Sequence, residues 1–162
     1  MTKVSYWSRT VIAPLLVLMS LKPQAKNPHN VHIRELFVTP PEEERHYMRN
    51  PTGSAWGAFF LSLDRVLQVV EPHFPKKRRE RAVKAAMDFV KERLNGEDGL
   101  GAIFPAMVNA VLAMETLGFP KDHPDLVTAK KAVKNLLTAN GTRDYCQPCV
   151  SPIWDTGLAA HA

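Results

Sequence analysis

Cysteine is scarce in this 162-residue chain: there are two, Cys146 and Cys149. Such a pair cannot lay down a disulfide framework, and its ordinary setting is a reducing cytoplasm. Long apolar runs are missing too. Val11 to Met19, nine residues, falls far short of the ~20 needed to span a bilayer as a helix. It follows Lys3 and Arg9 as a signal-peptide core would, but Lys22-Pro23 stands where small cleavage-site residues belong, so it reads as a buried helix. Aromatics reach only 8%, with three Trp, two of them near the chain ends. No Ser-His-Asp set and no phosphate-cradling glycine loop occurs. The net charge of +5 comes without zinc-finger spacing or interleaved aromatic and basic residues, so nucleic acid is not the expected partner.

What is present is an ordinary globular composition, 45% apolar and 23% charged, in a chain long enough for a real core. Periodicity predicts an all-α chain of six helical segments and no strand. The first runs from about Ser5 to Leu21 with Pro14 inside it, as a kink or an early break. Residues 22 to 53 carry five prolines and form a long irregular connection, of the kind that wraps a surface or serves function. The second helix runs from about Ser54 to Glu71, and its Trp56, Phe59, Phe60, Leu63, Val66, Leu67 and Val70 make one wide apolar stripe. The third, about Lys77 to Leu94, buries Val83, Ala86, Met87, Val90 and Leu94. The fourth opens at Pro105 and closes at Gly118. The fifth runs from Pro124 to about Ala139.

The sixth starts at Ser151, a natural N-cap, with Pro152 at the first helical position, where its missing N–H costs nothing. The sequence stops at Ala162 with no Gly, Asn or basic last turn. A helix opened and left unfinished implies that the sequence is a piece of a longer protein.

A repeat emerges when the helices are paired. A shift of 47 residues sets Ala82 on Ala129, Lys84-Ala85 on Lys131-Ala132, Pro105 on Pro152 and Leu112-Ala113 on Ala159-Ala160. Each unit is a helix, a loop of about a dozen residues and a helix opened by proline. Helical hairpins of this size stack into solenoids or close into toroids, because no unit buries its apolar face alone.

Several segments carry a resemblance. Val150-Ser-Pro-Ile-Trp-Asp-Thr156 resembles the Ser-Pro-x-Trp-Asp-Thr segment of squalene–hopene cyclases, the bacterial class II triterpene cyclases. Ser5-Tyr-Trp-Ser-Arg-Thr10 is similar to their Trp-containing helix. His32-Ile-Arg-Glu-Leu-Phe-Val-Thr-Pro-Pro41 and Gly99-Leu-Gly-Ala-Ile-Phe-Pro105 also resemble family segments, in order over nearly the whole chain. The resemblance implies an α-α toroid, an incomplete part of a larger two-barrel enzyme. Residues 1–150 would belong to the N-terminal-side barrel, and 151–162 would start a truncated helix of the catalytic barrel.

Two departures from the family stand out. Its QW repeats pair a late-helix Gln with a loop Trp; here Leu94 and Leu100 take those places, so an apolar contact must replace the hydrogen bond. Its proton donor is the middle Asp of an Asp-x-Asp-Asp motif, and no such motif occurs in these residues.

The resemblance implies an enzyme that cyclises squalene to hopene or hopanol through carbocations, without a cofactor. This chain would supply cavity wall and membrane face but no catalytic residue, and alone it would be inactive. Trp7 and Trp154 match family tryptophans that face substrate; read alone, each is a core Trp. Ile103, Phe104, Pro105 and Cys149 match cavity-lining loops, where ordinary packing is the plainer role. Cys146-Gln-Pro-Cys149 has the spacing of a redox pair but lacks the preceding strand and the helix starting at its first Cys, and four zinc ligands are not in view. Asp155, one turn into a helix, suits the helix dipole as well as it suits an acid. Glu97-Asp98 reads as solvated.

A membrane face is suggested by Trp56, Phe59 and Phe60 together with Lys76, Lys77, Arg78 and Arg79. The basic run opposes the dipole at a helix N-terminus unless the helix starts nearer Arg81, leaving the run a solvated linker. The family adds that its members are monotopic, which places the protein on the cytoplasmic face of the cell membrane, with squalene, the membrane surface and the remainder of its own chain as partners. The alternative is a non-catalytic helical-repeat scaffold that binds a partner helix or an anionic surface.

Overall fold

A computed structural model describes residues 3–24, 26–45, 47–149 and 151–162. Among the described residues six α-helices carry the fold: α1 (Tyr6–Leu21), α2 (Ala55–Val70), α3 (Lys76–Lys91), α4 (Phe104–Thr116), α5 (Pro124–Lys134) and α6 (Pro152–His161). The chain divides into two compact units, one of Met1–Pro23 with Arg79–Ala162, the other of Gln24–Arg78.

In the first unit α1 packs along α4, and α4 along α5. The α1 contribution is the stripe Thr10, Ala13, Pro14 and Val17, all buried. Against it α4 sets Ala106, Ala110 and Ala113, small side chains that let two helices approach closely, flanked by Met107 and Met114. Pro14 deletes one backbone donor, yet α1 is continuous through it. The expectation that the Val11–Met19 run is a buried helix is half corrected: Ile12, Leu15, Leu16 and Met19 on its other side are exposed. Leu94 and Leu100, at the Gln and Trp places of the family repeat, both enter the core, Leu100 at 1% exposure.

The all-α class holds, and the expectation of no strand is corrected at one place. α5 ends at Lys134, not near Ala139, and a two-stranded antiparallel hairpin follows, β1 (Leu137–Asn140) and β2 (Arg143–Cys146), with Leu137 opposite Cys146 and Asn140 opposite Arg143. The physical reason lies in the turn. Gly141, at φ +63°, takes the first of two turn positions, where positive φ is required. Thr138 and Tyr145, both good strand formers, pair across the strands. The Gln147 N–H extends the ladder by donating to the Leu136 carbonyl at 2.8 Å.

The helices of the 47-residue repeat therefore correspond, α3 with α5 and α4 with α6, while their connections differ. The first is two 3-10 turns, Gly96–Asp98 and Leu100–Ala102; the second is the hairpin. Glu97 is not simply solvated: it pairs with Lys131 of α5.

In the second unit the described residues of the connection that follows Gln24 are irregular apart from a 3-10 turn at Arg34–Leu36. α2 is opened by Ser54, whose Oγ accepts the Gly57 N–H at 3.0 Å. No residue of α2 is buried. A 3-10 turn at Glu71–His73, containing Pro72, ends it.

Candidate functional site

The cavity-wall candidates are positioned by the glycine-rich turn ahead of α4. Gly99 is buried and left-handed at φ +73°; a Cβ there would crowd the Met107 side chain and sit 3.0 Å from Ala132 Cβ. Gly101, at φ +65°, would set a Cβ 3.1 Å from Thr10 Cγ2. The turn is thereby pressed between α1 and α5, and Ala102 follows in the left-handed region at φ 51°, an L-residue held where glycine is at ease.

The chain then straightens into Ile103, which forms an isolated antiparallel bridge with Cys149. The Phe104 N–H donates to the Pro148 carbonyl at 2.8 Å. Ile103, Phe104, Pro105 and Cys149 are thus brought to one junction. Ile103 turns toward the core, while Phe104, Pro105 and Cys149 are exposed. Cys146 closes β2, so a strand does precede the Cys146–Cys149 pair, contrary to the expectation from sequence; no helix starts at Cys146, since α6 opens at Pro152, and both cysteines are free thiols.

Trp7 stands in the first turn of α1, one turn before Thr10, and is 56% exposed; Trp154, in the first turn of α6, is 75% exposed. Neither is a core Trp. Among the described residues, no hydrogen bond or ring contact joins either one to the Ile103–Cys149 junction. Ser151 holds the N-cap position of α6, but its hydroxyl does not cap. It donates to Asp155 Oδ1 at 2.9 Å, fixing that carboxylate in the first helical turn, where the dipole favours it. Val150, first residue of the matching Trp-Asp-Thr segment and the expected domain boundary, lies outside the described residues.

One cluster escaped the sequence reading. The Arg93 guanidinium lies 3.8 Å from the Phe89 ring centroid and 5.8 Å from that of Tyr6, and Arg9 lies 5.8 Å from Phe89. Arg93 also donates from Nη1 to the Phe89 carbonyl at 3.0 Å. These contacts tie the first turns of α1, and with them the backbone of Trp7, to the end of α3. The Tyr6/Arg9 spacing of three and the Phe89/Arg93 spacing of four were the available signals, since such pairs share a helix face.

On the second unit Trp56, Phe59 and Phe60 form one exposed aromatic cluster, with centroids 5.4–6.3 Å apart. α3 starts at Lys76, not near Arg81, so Lys76, Lys77, Arg78 and Arg79 occupy a first helical turn that carries no acidic residue. No helix among the described residues is long and apolar enough to cross a membrane.

Comparison with known proteins places these features in a family. A family model described as the squalene–hopene cyclase N-terminal domain matches residues 1–142. The squalene–hopene cyclase of Zymomonas mobilis is 48% identical over 166 residues, covering 99% of this chain and 25% of its own length. That of Bradyrhizobium diazoefficiens is 48% identical over 161 residues, covering 99% and 24%. The dammaradiene synthase of Dryopteris crassirhizoma is 26% identical over 158 residues, covering 96% and 23%. The chain spans about a quarter of the length of the curated relatives it matches.

Proposed function

Because the chain belongs to the squalene–hopene cyclase N-terminal domain family, we propose that it forms part of a class II triterpene cyclase, an enzyme that folds squalene in a dry cavity and closes its rings through a cation cascade. Residues 1–150 contribute to the N-terminal-side α-α barrel, and 151–162 begin a helix of the catalytic barrel. The products are hopene and, when water captures the last cation, hopanol.

The chemistry asks two things of these residues. Water must be kept out, since it would quench the cation, and the walls must be electron-rich. An aromatic face stabilises a nearby desolvated cation by roughly 0.5–2 kcal/mol. Trp7, Phe104 and Trp154 supply such faces, while Ile103, Pro105 and Cys149 supply apolar wall. The proton that starts the cascade comes from an Asp-x-Asp-Asp motif, which does not occur among these 162 residues. This chain is therefore wall and not acid.

The observation that carries the reading is the exposure of Trp7 and Trp154. A tryptophan serving only the core of this unit would be covered by it, and these two are not. Fed with squalene, the full-length cyclase should lose hopene formation when Trp7 or Trp154 is replaced by Ala, as measured by gas chromatography. Full activity in both variants would leave the wall assignment without support, whereas no hopene formation by the unaltered full-length protein would favour the non-catalytic helical-repeat scaffold.

Membrane association belongs to the same reading. The exposed cluster of Trp56, Phe59 and Phe60 inserts at the acyl boundary, and Lys76, Lys77, Arg78 and Arg79 meet anionic headgroups at ~1 kcal/mol per basic residue. The protein then sits monotopically on the cytoplasmic face of the cell membrane, where squalene is dissolved.

A further inference from the structure

A cleft of about 230 Å³ opens within the Gln24–Arg78 unit, between α2 and the segment that precedes it. Leu61, Asp64, Arg65 and Gln68 form its α2 wall, at the i, i+3, i+4, i+7 spacing that puts four side chains on one helix face. Arg45, Tyr47 and Met48 form the opposite wall.

The opposite wall is fastened in place. Asn50 Nδ2 donates to the Ser54 carbonyl at 2.9 Å. Gly57, one turn before Leu61 on the same face of α2, leaves the space that the Asn50 side chain occupies; a Cβ there would collide with the amide. The Tyr47 hydroxyl donates to the Pro41 carbonyl at 2.9 Å, which fixes its ring.

The charges in the cleft are unevenly committed. Arg49, nearby, pairs with Glu44 at 3.2 Å. Arg45 and Arg65 have no ion pair among the described residues, although both line the cleft. Asp64 accepts the Gln68 Nε2–H at 2.7 Å through Oδ2, and its Oδ1 is bonded to no described residue. Two guanidinium forks suit the several oxygens of a phosphate. A carboxylate beside them would repel a simple anion, but it suits a ligand that carries a cation next to its phosphate. Met48 and Leu61 add apolar wall.

We infer that this cleft binds a zwitterionic phosphodiester, the headgroup of an ethanolamine-type phospholipid, with its phosphate on Arg45 and Arg65 and its ammonium on Asp64. The inference rests on the membrane reading above. Asp64 lies one turn from Phe60, so the cleft borders the exposed aromatic cluster. A helix lying with such a stripe among acyl chains carries its flank at headgroup depth.

The test uses the water-soluble headgroup glycerophosphoethanolamine, so that the site is assayed apart from the membrane. Calorimetric titration should give at least ~10-fold tighter binding of this probe than of glycerol 3-phosphate or inorganic phosphate, as expected when a charge-assisted hydrogen bond is added. Arg45→Gln with Arg65→Gln should abolish binding. Asp64→Asn should erase the preference while leaving phosphate binding intact. Arg45 and Arg65 are exposed and Asp64 is half-buried, and circular dichroism checks that the variants fold. Equal binding of inorganic phosphate by the unaltered protein overturns the headgroup assignment and leaves a free-phosphate site. No binding of any probe, with vesicle association intact, overturns the cleft and spares the membrane reading. Probe binding that survives the double Arg substitution also overturns it. Probe binding together with no association to phosphatidylethanolamine vesicles upholds the phosphodiester site but overturns its lipid source, and the membrane reading fails with it.

Discussion

Ile103 and Cys149 face each other across an isolated antiparallel bridge, and the adjoining Phe104 N–H to Pro148 carbonyl bond, at 2.8 Å, fastens the start of α4 to the segment that follows β2. Forty-six positions of chain separate the two residues, yet the two halves of the 47-residue repeat meet there within one residue of equivalent positions, shortly before each proline-opened helix. The junction therefore holds the exposed Phe104 and Pro105 beside Cys149 by backbone pairing, which leaves their side chains available for a cavity wall.

Trp154 follows this junction by five residues and separates a role in the wall from a role in packing. In the full-length cyclase, Trp154→Ala should impair turnover more than Trp154→Phe, because Phe keeps a π face and much of the volume. In the 162-residue chain alone, Trp154→Ala should change stability by no more than about 0.5 kcal/mol, since the side chain lies at the surface. Equal turnover losses for the two substitutions would show that the shape of the indole, not its interaction with substrate or cation, is what matters.

The glycine turn offers a comparison between two positive-φ positions. Gly101 and Gly118 both have left-handed backbones, but a Cβ at Gly101 meets Thr10 of α1, whereas one at Gly118 meets open space. Gly118→Ala should cost about 1 kcal/mol, the left-handed penalty reduced by a less flexible unfolded chain. Gly101→Ala adds the collision with α1 and should cost roughly 2–3 kcal/mol. Urea unfolding midpoints measure both, and an equal cost would mean that Thr10 yields without loss.

Leu100 tests the apolar substitute for the family's Gln–Trp pair. Buried at 1% exposure in the same cluster as Leu94, it should behave as a core leucine, with Leu100→Ala costing about 2–5 kcal/mol in urea unfolding. Leu100→Trp, although it restores the family residue, should also destabilise, by about 1–3 kcal/mol, because the space is already filled. Stabilisation by Leu100→Trp would show that room for the indole persists here.

The helices were legible because their signals are local. Ser54 ahead of Ala55 and Pro124 at the start of α5 are caps and openers, and the apolar spacing of α3 and α4 follows the helical period. The hairpin was not read as such because Leu136 and Leu137 continue the α5 stripe at helical spacing, and the turn chemistry of Gly141 outweighs that pattern only when Tyr145 lies across from Thr138. The half exposure of α1 was hidden by an unbroken apolar run, in which periodicity cannot distinguish a covered side from an open one. The junction of Ile103 with Cys149 depends on pairing across many residues, and no local signal announces it. The Trp7 and Trp154 assignments came from resemblance, and composition alone would have buried both.

The membrane reading separates into charge and insertion. Replacing Lys76, Lys77 and Arg78 by Gln removes three positive charges from the first turn of α3, where the helix dipole already opposes them. That change should slightly stabilise the folded chain, by a few tenths of a kcal/mol per residue, while weakening association with vesicles that contain anionic lipid. At ~1 kcal/mol per charge the loss of binding could approach ~3 kcal/mol at low salt, and it should shrink at physiological ionic strength, where the screening length is about 8 Å. Phe59→Ser with Phe60→Ser should weaken binding to neutral and anionic vesicles alike, because it removes inserted apolar surface. Flotation of both variants on the two vesicle types distinguishes the contributions. If removing the three charges leaves anionic-vesicle binding unchanged, the basic turn is a solvated helix start and the membrane contact rests on α2 alone.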